Sequence, residues 1–460
     1  MKIRSQDCRK AAFLIGSVLL LAVVASISPK AILASGNETD GARPNVLWLV
    51  LEDTSPWMGC YGDPINADAT PHIDGLAQRG VRFSRAYVSA PVCSPCRSAL
   101  VVGANQIRFG AHEHRSSISQ APISLPDGWK PAPQILNDEG YFTFNLGKTD
   151  YNFEFDKDAT YNVMQGRGYD FIEVIGQRGN GQPFFGQIQM AGGKGKGDTF
   201  PEERKVRPED VTVPPDYPDN EITRAVVAEH YNTIRKNDDE VGAILQRLDE
   251  EGLLENTVVF YFSDHGAPHM LRHKQMPTEG GLHVPLIVDG PERLVPSGIV
   301  RDDLTSSLDI IATTFALAGV SAPNYFEGRD LFADDVGSPE FVASARDRCD
   351  GTIDRIRSLR TDRFRYTRNL KTDRVLLQPQ YRDGRDYTNN MRELYANGEL
   401  ESHLVDIYFG ERKAEELFDL DADPHQLVNL ADDPTYEEEL LRHRQLMDGW
   451  LAQGDMGEGE

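Results

Sequence analysis

From Asn45 the chain reads NVLWLVLED, an apolar run without alternation that closes on two acids. Unbroken apolarity over such a length predicts a strand buried on both faces. TVVFYFSDHG (257–266) repeats the design, and YFTFNLGK (141–148) and VPLIVDG (284–290) add two more buried strands. Between them the hydrophobic period lengthens to that of helices. TPHIDGLAQRG reads as a helix capped by Thr70, begun at Pro71 and stopped at Gly80. APQILNDEG, residues 222 to 251 and Ser306 to Ala318 supply further helices. Strands alternating with helices imply a parallel sheet covered on both faces. Ligands of such sheets bind beyond the carboxyl ends of the strands, where Glu52, Asp53, Lys148, Asp264 and His265 all fall.

The texture changes after about residue 335. IRSLRTDRFRYTRNL alternates around a turn at Thr361 and Asp362, ELFDLDADPHQLVNLADDP is turn-rich, and a last helix runs from about Tyr436 to Leu451. The pattern divides the chain into a main α/β domain (44–334) and a smaller α+β subdomain (335–455). Residues 1–34 differ from both. Lys2, Arg4, Arg9 and Lys10 precede the apolar run Ala11 to Ile27, and AILASG then offers small residues. A basic start, a short apolar core and a small-residue site make a secretory signal. The mature chain is expected to begin near Ser35 and to be periplasmic or secreted, with no stable membrane insertion.

The net charge of -24 over 460 residues excludes general nucleic-acid binding, though a local basic pocket can still hold an anion. The segment Arg346 to Arg374 is such a local exception, with ten basic against five acidic side chains. Most of its arginines suit the outer positions of a strand pair, whereas Arg346 and Arg348, in SARDRCD, cluster before the alternation starts and are expected to line a pocket. Four cysteines remain after the leader, too few for a disulfide scaffold. Two of them stand in APVCSPCRSAL (90–100). A zinc site would need a second pair at similar spacing, and a thioredoxin-like pair would need a small βαβ context. Neither is present.

The fuller pattern, Cys93-x-Pro95-x-Arg97 followed by Leu100 and Gly103, resembles the activation motif of the type I sulfatases. The segments Asn45 to Tyr61, TPHIDGLAQRGVRFSRAYVSAPVCSPCRSAL, GK at 147–148, SDHG at 263–266, KQMPTEGGLHVPLIV and ELFDLDADPHQLVNLA recur in that family in this order. The pattern is most similar to bacterial sulfatases related to heparan N-sulfatase. The resemblance implies an alkaline-phosphatase-like fold, with a mixed sheet between helices and a smaller C-terminal α+β subdomain. It implies that a maturation enzyme oxidises Cys93 to formylglycine, whose hydrated aldehyde attacks sulfur through one hydroxyl and expels sulfate through the other. A gem-diol is a weak nucleophile, so a bound cation must acidify it. Glu52, Asp53, Asp264, His265 and residue 93 match the metal ligands, for calcium or the similarly hard magnesium. Arg97, Lys148 and Lys274 match the family's cationic positions, and a helix beginning just after Cys93 would turn its amide ends toward the sulfate.

The chain also departs from the family. Asp150 and Lys194 stand where histidines that assist the nucleophile and protonate the leaving group are common, and His265 replaces a common asparagine. General acid catalysis is therefore unassigned. His273, directly before Lys274, and His114, beyond the helix that Cys93 begins, are the replacements to examine, with Lys194 a third. The substrate implied is a sulfated carbohydrate. Three alternatives stay open: an N-sulfamidase, an inactive glycan-binding relative, and a phosphatase, which would want Ser or Thr in place of Cys93.

Overall fold

The computed structural model describes residues 43–114, 123–196, 200–334 and 336–457; the leader at 1–34 lies outside them. Among the described residues no helix is long and apolar enough to cross a membrane. The main sheet runs in the order Val163–Gln165, Phe142–Leu146, Phe184–Met190, Asn45–Leu51, Thr257–Ser263, His283–Asp289, Val81–Tyr87 and Ile299–Arg301, with Thr305–Ser306 also on Val81–Tyr87. Asn45–Leu51 lies in the middle, parallel to both neighbours and fully buried. Its alternate residues feed two cores. Val46, Trp48 and Val50 pack with the helix Ser307–Ala318, and Leu47, Leu49 and Leu51 with the helices Pro71–Arg79 and Glu221–Glu250.

The sheet is not wholly parallel. His283–Asp289 runs antiparallel to both Thr257–Ser263 and Val81–Tyr87. A parallel return needs a crossover, and the connection from Ser263 holds only the one-turn helix Glu279–Leu282. The apolar content of VPLIVDG reports burial and carries no direction. This connection instead wraps over the strand ends and delivers Asp264, His265 and Lys274 to one place.

A second, antiparallel sheet follows, in the order Val342–Arg346, Ile356–Arg360, Phe364–Asn369 and Glu415–Asp419. The helix Glu437–Leu451 covers it through Leu440, Met447 and Trp450. Backbone and side-chain bonds join the sheets: Ala345 N donates to Ser89 O (2.9 Å), and Ser344 Oγ to Val88 O (2.7 Å). The described residues accordingly form one compact unit.

Candidate active site

Two strand ends lie side by side and are tied by side chain to backbone. Asp53 N donates to Asp264 Oδ1 (2.8 Å) and Thr54 N to Ser263 Oγ (2.9 Å). Asp53 has φ 53, a left-handed conformation that turns its carboxylate back over the sheet. Cys93 is the first residue of the helix Cys93–Val102 rather than the residue before it, so its side chain stands at the amide end. Ligand atoms of Asp53, Cys93, Asp264 and His265 all lie within 4.8 Å of one another, and all four residues are buried. His265 Nδ1 faces Gly266 O (3.0 Å), which fixes the ring with Nε2 3.2 Å from both Cys93 Sγ and Asp53 Oδ1.

Cations close around this group. Lys274 Nζ lies 2.6 Å from Asp53 Oδ2 and 3.5 Å from Cys93 Sγ. Its loop is pinned where Gln275 N donates to Pro91 O (2.7 Å) and where buried Arg382 donates to the carbonyls of Pro268, Met270 and Lys274. Arg97, one turn along its helix, donates to Asp264 Oδ2 (2.8 Å) and to Gln189 Oε1 (2.5 Å). Lys194 arrives through Gly192 and Gly193, which pass so close to the backbone of Glu52 and Asp53 that a side chain on either would collide with it. Lys194 Nζ then lies 2.7 Å from Glu52 Oε2 and 3.5 Å from Cys93 Sγ. Lys148 reaches Glu52 Oε2 (3.1 Å) and Asp150 Oδ2 (3.2 Å).

The charges follow from these contacts. Burial opposes ionisation of Asp53, but Lys274 and His265 outweigh it and hold the carboxyl well below the usual range. His265 and Arg97 do the same for Asp264. Burial also opposes a Cys93 thiolate, yet Lys274 draws its pKa well down, whereas burial and Asp264 push Cys96 up. The two cysteines of the motif therefore differ in kind, and both are free.

His114 comes to the same centre, grouping with Cys93 and Asp150 as close donor atoms. Its Nδ1 lies 3.1 Å from Asp350 Oδ1. Burial disfavours its charge, but bonds to Asp350 and Cys93 prevail and raise its pKa to about 9. His273 goes elsewhere. Its Nδ1 meets Ser55 Oγ (3.2 Å), its ring packs against Trp57 and Tyr217, and burial lowers its pKa to about 3. Its neighbour Lys274 faces the site, and a side chain one position away faces the other side of the loop.

Three further expected residues have these partners in the structure. The Glu52 carboxylate, beside Asp53 at the strand end, faces Lys148, Lys194 and Arg167. Arg346 is fully buried and paired with Asp354, so it supports the fold instead of lining a pocket. Arg348 is engaged by Glu113 and by Asp350 O (2.8 Å), and its carbonyl accepts from His114 N (2.9 Å). It braces the His114 segment. The sequence reading missed Arg167 and Gln189. The signal for Gln189 was present, since FFGQIQM buries two glutamines in an otherwise apolar strand.

Backbone strain gathers at the same place. Five described non-glycine residues have positive φ, and four of them, Asp53, Asp150, Gln275 and Asp350, belong to the site or adjoin it. Each costs on the order of 1 kcal/mol, sustained where the surroundings over-determine the geometry.

The fold is alkaline-phosphatase-like, and cationic side chains gather around Cys93 at the strand ends. The sulfatase family model matches residues 44–320, and the chain belongs to that family: it is a sulfuric ester hydrolase. An ulvan-active sulfatase of Formosa agariphila is 29% identical, with 89% of this chain and 75% of the relative aligned. The human N-sulphoglucosamine sulphohydrolase is 27% identical over 89% of this chain and 90% of its own. Among solved structures, BT4656 in complex with its substrate D-glucosamine-2-N,6-O-disulfate shares the fold at TM-score 0.65 and 15% identity, over 91% of this chain and all of the other.

Proposed function

We propose that the enzyme cleaves sulfate esters of a sulfated carbohydrate outside the cytoplasm, using a formylglycine made from Cys93 by a maturation enzyme and a hard divalent cation, calcium or magnesium. The observation that carries the proposal is the surroundings of Cys93. The residue opens a helix, is buried, and has Lys194, Lys274 and His265 within 3.5 Å of Sγ. That environment suits an electrophile and an anion better than a structural thiol. The names of the ulvan-active and N-sulphoglucosamine relatives support a carbohydrate as the rest of the substrate.

The donor set fits the cation. Asp53 and Asp264 are both fully buried carboxylates held ionised, and His265 adds a nitrogen in reach of both. Asp53, Asp264 and His265 would hold the ion, whose positive charge would acidify a hydroxyl on residue 93. Formylglycine at that position supplies a hydrated aldehyde as the nucleophile toward sulfur. The remaining work falls to side chains. Arg97, Lys148, Lys194 and Lys274 bind the sulfuryl oxygens and stabilise their charge as the sulfur–oxygen bond breaks. His114, steadied by Asp350, gives its proton to the departing sugar oxygen, which leaves as an alcohol. Lys148 and Lys194 remain part-exposed, whereas Arg97 and Lys274 are buried.

The test joins mass spectrometry to a substrate panel. Trypsin releases Ala86 to Arg97 as one peptide, and enzyme made with a maturation enzyme should carry an aldehyde at residue 93 and a thiol at Cys96. The same preparation should release sulfate from O-sulfated sugars. Full activity with an unmodified Cys93 thiol refutes the proposal, and release from N-sulfated sugars alone would redirect it to sulfamidase chemistry.

A further inference from the structure

The stretch Gln378 to Arg385 leads into the helix Asp386–Asn397 and links two walls of the site. At one end Gln378 Nε2 donates to Asp354 Oδ2 (3.1 Å), and Thr352 Oγ1 donates to Pro379 O (2.7 Å), in the loop whose Asp350 backs His114. At the other, buried Arg382 donates to the carbonyls of Pro268, Met270 and Lys274. Tyr381 is held between these anchors, 48% exposed and within electrostatic reach of Lys274. His269 is exposed in the Lys274 connection, and Pro268 before it abuts Gly193 in the turn that carries Lys194. The His269 ring meets Tyr387 with centroids 5.6 Å apart. Burial, with Arg382, Lys274 and Arg385 nearby, lowers its pKa against the pull of Asp53, so the ring is neutral. Arg385 is exposed and makes no side-chain hydrogen bond or ion pair among the described residues, whereas Arg374, Arg382, Arg392 and Arg412 all do.

We propose that Tyr381, His269 and Arg385 form the subsite for the sugar, and that this sugar carries a second acidic group beside its sulfate ester. The assignment rests on the reading of Cys93 as the sulfuryl site. Cys93, Arg97 and Lys274 are buried, so an ester bound there must leave its sugar on the solvent side, where these residues stand. A pyranose has an apolar C–H face and a hydroxyl edge, which suits an exposed tyrosine ring with a polar tip. Neutral His269 offers a donor and an acceptor to the hydroxyls. The planar fork of Arg385 matches two oxygens of a carboxylate or a second sulfate. On a protein of net charge -24, an uncommitted arginine here also counters the repulsion that an acidic glycan meets on approach.

The experiment measures inhibition constants on the matured enzyme, with 4-nitrophenyl sulfate as substrate. The competitors are inorganic sulfate, a panel of hexose and hexosamine monosulfates with the ester at each position, the same sugars with a second sulfate, and the same sugars joined to glucuronate. Tyr381→Ala should weaken the best-bound sugars about tenfold and inorganic sulfate less than twofold, and Tyr381→Phe, which keeps the ring, should recover most of the loss. Arg385→Gln should weaken only sugars with the second acidic group, again about tenfold, and Arg385→Lys should recover part of it. Loss confined to the disulfates identifies the second group as sulfate, and loss confined to the glucuronates identifies it as carboxylate. Both side chains are exposed, so melting temperatures should stay at the wild-type value. Sugar binding unchanged in Tyr381→Ala and Arg385→Gln overturns the proposal, as does an equal loss on inorganic sulfate. Wild-type enzyme that binds inorganic sulfate but no sugar more tightly overturns the subsite alone, whereas indifference to sulfate and sugars alike overturns the site reading beneath it.

Discussion

Cys93 and Cys96 are three residues apart on one helix, both about 1% exposed, yet only one is placed for chemistry. Cys96 packs into the core beside Leu100, while Cys93 faces Asp53, His265, Lys194 and Lys274. Cys93→Ala should lower turnover roughly a thousandfold or more, the scale of losing a nucleophile. Cys96→Ser should cost about 1–2 kcal/mol of stability, because it buries a hydroxyl, and leave turnover within a few-fold. The proton donor is tested by leaving group. A sugar alkoxide needs protonation whereas a nitrophenolate departs without it, so His114→Ala should slow sugar-sulfate hydrolysis about a hundredfold and 4-nitrophenyl sulfate hydrolysis less than tenfold. Equal losses on both substrates would remove His114 from that role. His273→Ala should show no such difference, since its ring is neutral at working pH and bonded to Ser55.

The helix Pro71–Arg79 shows how an element borrows its cap. Thr70 occupies the cap position, but its hydroxyl accepts from Gly59 N and donates to Asp74 instead. The first turn is capped from a distance. Asp238, on the long helix Glu221–Glu250, accepts from Ile73 N at 2.8 Å. Burial raises the Asp238 pKa from its ordinary 3.8 to about 6. The folded state therefore holds this proton more tightly than the unfolded chain, and the group's contribution is greatest below pH about 4 and is lost as pH rises through 6. Asp238→Asn keeps an acceptor for Ile73 N and cannot ionise. Denaturant melts from pH 4 to 7 should show wild type losing stability relative to the variant across that window. Parallel pH profiles would refute the assignment.

At the scale of the molecule, the C-terminal sheet completes the site rather than merely closing the chain. Asp350, in the loop between its first two strands, backs His114, and the segment carrying it bridges to His114 through Cys349. Arg365, on the third strand, reaches Glu279 in the connection that presents Lys274. The same long-range assembly makes the metal a structural asset. Asp53, Asp264 and His265 are brought together only by folding, so an ion bound there by the folded state alone should stabilise it. Exhaustive chelation should lower the melting temperature by about 5 °C and abolish turnover, and calcium should restore both. Unchanged melting in protein shown metal-free by elemental analysis would refute a bound cation.

The sequence alone determined the buried strands, the helices between them and the strand-end acids, because burial on both faces and the helical period are local patterns. It also marked Cys93, through a motif whose residues lie along one helix and its cap. Three things were decided only by the tertiary structure. The direction of His283–Asp289 depends on the length and path of its connection, to which apolar content is blind. Which histidine meets Cys93 depends on the side of a loop its ring takes: adjacency to Lys274 favoured His273, yet pairing with Asp350 from the second sheet selects His114. Glu52 and Asp53 look alike as neighbours at a strand end, but their partners differ: Asp53, at positive φ, faces Cys93 and Lys274, and Glu52 faces Arg167 and two other lysines. Each outcome was set by partners far away in the chain, whose approach is a property of the packed molecule and not of any one stretch.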